Sequence, residues 1–77
     1  MKIGSVIEYV TRNKRRLSVV VVDVVHAQQN KRGEVVTTMW VQLIRGTRRG
    51  RPIPFSVADT DGDRRVVGHG KVVAITD

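Results

Sequence analysis

Eight of the fourteen basic residues fall into two tight groups in this chain. Arg12, Lys14, Arg15 and Arg16 stand together in RNKRR, and Arg45, Arg48, Arg49 and Arg51 surround Gly50 in RGTRRGR. The chemistry open to such groups is anion recognition. A guanidinium stays charged at any physiological pH and presents a flat fork of donors that matches two phosphate oxygens at once. Ten of the fourteen basic residues are arginine, and seven acids leave a formal charge of +7 in 77 residues. Charge of that size attracts nucleic acid, an anionic surface or an acidic protein, and charge alone does not choose among them. Arginine-rich usage also arises from GC-rich coding, with no selection for binding.

Four consecutive residues, Arg49, Gly50, Arg51 and Pro52, spell RGRP and resemble the core of an AT-hook. The resemblance implies an extended segment in the minor groove of AT-rich DNA, with glycine permitting close approach and arginine drawn to the narrow, negative groove. The competing reading is a loop whose Gly and Pro serve turning. Asp59, Asp61 and Asp63 resemble the start of an EF-hand loop. Arg64 at its sixth position and Gly70 at its twelfth replace the turn glycine and the bidentate glutamate, so no calcium site is expected. RRLS at Arg15 to Ser18 resembles a basophilic kinase site and is read as a strand entrance.

His26 and His69 are isolated, and the chain has no cysteine. No metal site, disulfide or nucleophilic thiol is therefore expected, and no cofactor. Asp23 lies alone in an apolar run, without a second positioned carboxylate or a nucleophile motif. The chain is not expected to be an enzyme, although a pore assembled at subunit interfaces would escape this reading.

The elements that must position the basic groups are strands. Leu17 to Ala27, LSVVVVDVVHA, holds six valines, whose Cβ branching crowds a helix and suits a pleated sheet. Alternation puts Leu17, Val19, Val21 and Val25 on one face and Val20, Val22 and Val24 on the other, so both faces need cover. Either the strand curls into a barrel with a bulge near Asp23 that swaps its faces, or another subunit covers the second face. Met1 to Thr11 reads as a first strand with Ile3, Ile7 and Tyr9 on one side. A helix from Val6 to Arg16 competes, since Ser5 and Glu8 have capping-box spacing. Asn30 and Gly33 mark a turn, and Glu34 to Ile44 forms the next strand, with Val35, Met39, Val41 and Leu43 on one face and Val36, Trp40 and Ile44 on the other. Arg45 to Pro54 reads as a long loop, followed by a short strand from Ile53 to Val57. Asp59 to Arg65 reads as a turn, and Val66 to Thr76 supplies one or two last strands, broken by Gly68 and Gly70.

These features predict one all-β domain over residues 1–77, a small barrel or strongly bent antiparallel sheet of five to six strands. KIGSVIEYV and GKVVAI resemble the first and last strands of SH3-like small barrels. That family includes KOW and Tudor-type modules, so the resemblance implies a binding module for nucleic acid or protein. In an up-and-down arrangement the two basic groups share one end of the sheet, while Lys31 and Arg32 meet Asp59, Asp61 and Asp63 at the other. The expected function is a small basic DNA-binding protein, nucleoid-like or regulatory. Its site is expected to comprise Arg12, Lys14, Arg15, Arg16, Arg45, Arg48, Arg49, Gly50 and Arg51. The alternative is a phage-type accessory protein that inhibits a host protein, or a small capsid component. Expected partners are duplex DNA or an acidic protein, and further copies of the chain, because so small a core gains from assembly. The longest apolar run, Val19 to Val22, is too short to span a membrane, so no membrane partner and a cytoplasmic location are expected.

Overall fold

Valine-rich alternation gives seven strands and no helix in the computed structural model, which describes all 77 residues. They are β1 (Val6–Thr11), β2 (Arg16–Gln29), β3 (Val35–Arg45), β4 (Arg48–Arg49), β5 (Ile53–Thr60), β6 (Asp63–Val66) and β7 (Gly70–Thr76). Every pairing is antiparallel. The ladder runs β1, β2, β3, β5, β6, β7 and back to β1, which closes six strands into a barrel, while β4 adds two residues beside the end of β3. A small closed all-β barrel is consistent with the SH3-like outline read from the sequence. No helix is long and apolar enough to cross a membrane.

Inside lies one cluster from five of the six barrel strands, Ile7, Tyr9, Val19, Val21, Met39, Val41, Phe55, Val57 and Val66, against which the half-buried Ile75 of β7 packs. Ile7, Val19, Met39 and Val41 have no exposed surface. Each such side chain contributes about 1.5–3 kcal/mol by leaving water.

The expected bulge in β2 is present, and there are two. Val21 pairs with Val41 and Asp23 with Trp40, so Val22 is an extra residue; Val24 then pairs with Met39 and His26 with Thr38, so Val25 is another. The first insertion turns Asp23 outward and brings Val24 against the core. The assignment of Val25 to the inner face is therefore corrected: it is 53% exposed. Val20 and Val22 stay on the outside, half-buried, near the exposed Trp40.

Three further expectations are corrected. Ile3 does not belong to the first strand, because the chain turns between Lys2 and Ser5, with Gly4 at φ +92° and Ser5 N–H bonded to the Lys2 carbonyl. Val6 to Arg16 is strand and turn, so the helical alternative falls: β-branched Val6, Ile7 and Val10 pair with both β2 and β7. The stretch Asp59 to Arg65 is mostly strand rather than turn. Asp61 and Gly62, at φ +50° and +88°, make a two-residue hairpin between paired Thr60 and Asp63, the geometry that an Asp-Gly dipeptide favours.

Candidate nucleic-acid interface

Because successive strands alternate in direction, three turns gather at one mouth of the barrel: β1 to β2, β3 to β5 and β6 to β7. The first is a short hairpin in which Thr11 N–H bonds to the Arg15 carbonyl and Arg15 N–H to Thr11 Oγ1. Lys14 closes it in the left-handed region at φ +61°. This tight reversal leaves Arg12, Lys14 and Arg15 exposed. Arg16 opens β2 and is engaged by Glu8 at 3.2 Å on the outer wall, so it is less free than its neighbours.

The second turn differs from the long loop expected over Arg45 to Pro54. Gly46, at φ +59°, and Thr47 reverse the chain, and Arg45 and Ile44 pair with Arg48 and Arg49. Gly50 N–H continues the ladder to the Leu43 carbonyl at 2.9 Å. A basic hairpin therefore ends β3, with Arg45, Arg48, Arg49 and Arg51 all exposed. Half of RGRP is fixed in this ladder, and only Arg51 and Pro52 bridge freely to β5. The reason is local: the glycine at position 46 makes a hairpin cheaper than an open loop.

The sequence reading missed the third turn. Val67 to His69 brings His69 and Lys71 to the same mouth, beside the first turn, because Val10 pairs with Lys71 and Thr11 with Gly70. His69 covers Phe55, with ring centroids 5.4 Å apart and planes at 24°, and Tyr9 meets Phe55 edge-on at 5.5 Å. Burial raises the Tyr9 hydroxyl above its usual pKa. The signal was available in outline: splitting Val66 to Thr76 into two strands makes the strand count even and places the turn at the basic end.

No protein-family model matches the chain, and no curated protein and no solved structure matches it. Charges are shared unevenly between the two mouths. Arg12, Lys14, Arg15, Arg45, Arg48, Arg49, Arg51 and Lys71 form no ion pair, and the three turns that carry them hold no carboxylate. At the opposite mouth, arginines are answered by acids: Arg64 meets Asp59 and Arg65 meets Glu34, both at 3.1 Å. Lys31 and Arg32 are unpaired there, but they share that end with Glu34, Asp59 and Asp61.

The opposite mouth is a built network rather than a loose set of charges. Hydrogen bonds from the Asn30 side chain, then from Arg65 and Thr60, hold the Glu34 carboxyl below its ordinary pKa. Asp59 is lowered first by Arg64 and then by the Gly62 N–H. Asp77 is lowered by the hydroxyl of buried Ser5, which donates to it. His26 lies on the β2 and β3 ribbon opposite Thr38, far along the strand from the turn that holds His69.

Proposed function

We propose that this chain is a small DNA-binding protein, nucleoid-like or regulatory, which grips duplex phosphates with the basic mouth of its barrel. One observation carries the reading: eight unpaired cations surround one mouth in turns free of acid, whereas the other mouth mixes its cations with carboxylates and pairs Arg64 and Arg65 with them. Solvation alone explains charges in turns but gives no reason for this partition. Crowded like charges repel one another, and a polyanion relieves that repulsion while its bound counterions are released. Phosphate contacts of this kind position a protein on the duplex without reading sequence. The fixed first half of RGRP favours such tolerant binding over an AT-hook arm.

Titration of a labelled duplex at several salt concentrations tests this. Affinity is expected to fall by about 0.9 log unit per log unit of salt for each phosphate contacted, with about four to six contacts. Arg48→Gln with Arg49→Gln lowers that slope, and Lys31→Gln with Arg32→Gln leaves it unchanged. A folded sample that ignores DNA at low salt overturns the reading and favours a protein partner. Preference for AT-rich over GC-rich duplex, lost on replacing Arg49 and Arg51 by lysine, restores RGRP to the groove.

A further inference from the structure

Outside the barrel, between the first and third turns of the basic mouth, lies a cleft of about 350 Å³ lined by Arg12, Asp63, Arg65, Val66, His69 and Lys71, with Gly68 and Gly70 in its wall. Its cations are not equivalent. Arg65 is held by both carboxylate oxygens of Glu34, so its charge is already answered. Arg12 and Lys71 have no such partner and stay free to meet an anion. Asp63 contributes the one carboxylate and pairs with neither.

The cleft also ends an aromatic column. Phe55 is 3% exposed and lies under His69, while His69 itself is exposed and lines the cleft. One face of the imidazole is thus turned to a buried ring, and the exposed part of His69 borders the cleft. Tyr9 braces both rings edge-on, at 5.5 Å from Phe55 and 6.4 Å from His69. The wall beside the imidazole is bare, because Gly68 carries no side chain and a Cβ there would meet nothing within 4 Å.

We propose that this cleft takes one unpaired nucleotide, its base stacked on His69 and its phosphate held between Arg12 and Lys71. The proposal deepens the nucleic-acid reading of the basic mouth by naming a single-stranded or frayed substrate. A flat π surface beside cations is how proteins hold unstacked bases without regard to sequence, and a base inside a duplex cannot offer its face. The cleft volume admits one nucleotide rather than a helix, whose grip falls to the arginines of the other two turns.

Binding of a short oligothymidylate, compared with a duplex of equal length at one salt concentration, is the test. His69→Ala is expected to weaken the single strand about tenfold and to change duplex affinity less than twofold. His69→Phe should restore the single strand. Lys71→Gln with Arg12→Gln should weaken both ligands. Since His69 also packs on Phe55, thermal unfolding of each variant is measured alongside, and His69→Phe keeps the column if the alanine variant is unstable. Equal losses for single strand and duplex in His69→Ala, or no rescue by phenylalanine, overturn the proposal. Duplex binding that fails while His69-dependent single-strand binding persists removes the duplex reading and leaves the cleft standing.

Discussion

The carbonyl of Val10 occupies the space that a side chain at position 70 would need: a Cβ built on Gly70 falls inside the oxygen's van der Waals surface and against Thr11 Cα. β7 can therefore lie this close to β1 only with glycine there, and the approach brings Lys71 beside the first basic turn. Gly70→Ala should cost about 2–3 kcal/mol, since backbone rather than a flexible side chain must yield. Gly68→Ala has open space and suffers only from its φ of +79°, costing about 1–2 kcal/mol. Urea unfolding of the two variants checks the order, and a milder Gly70→Ala would contradict the packing.

Lys14 is a cation placed where glycine is comfortable. Its φ of +61° closes the first turn, and a non-glycine residue there carries strain. Lys14→Gly should raise stability by about 0.5–1 kcal/mol, the relief being partly offset by a looser unfolded chain. The same change should reduce the salt slope of DNA binding by about one phosphate contact. A gain in one property with a loss in the other is the outcome to look for in parallel melting and binding curves.

Acid should weaken the fold through the mouth that holds the carboxylates. Glu34, Asp59 and Asp77 titrate lower in the folded chain than in the unfolded one. Their contribution is present above the ordinary carboxylate range, about pH 4, and is lost as pH falls through the lower folded values, because the unfolded chain then binds more protons. Melting temperature should drop over that acidic window. Glu34→Gln should make the drop shallower, as it removes one of the three titrations. An unchanged acid slope in that variant would contradict the role given to the Glu34 network.

Deleting Val22 should test what the first bulge does. Val22 is the extra residue between Val21 and Asp23, so its removal lets strict alternation keep Val21 inside, Asp23 outside and Val24 inside. Deleting Val20 instead reverses the facing of one side of the strand, because no bulge absorbs the lost residue there. The Val22 deletion should therefore be the milder of the two. Chemical unfolding of both variants checks the order, and a Val22 deletion as costly as the Val20 deletion would contradict the bulge.

Local chemistry made much of this legible before any coordinates. Valine branching wrote the strands, the Leu17 to Ala27 pattern with its lone aspartate called for either a bulge or a covering subunit, and the charges of Arg12 to Arg16 and Arg45 to Arg51 were countable from residue types. An alternating strand order was enough to bring those two groups to one mouth. What the tertiary structure decided depends on contacts between distant residues. The second bulge, at Val25, follows from the register of β2 on β3, which no single strand encodes. The hairpin that fixes Arg49 and Gly50 rests on hydrogen bonds back to β3. Above all, His69 and Lys71 look unremarkable in a glycine-broken stretch, and only the return of β7 to β1 brings them to Arg12 and stacks the imidazole on Phe55.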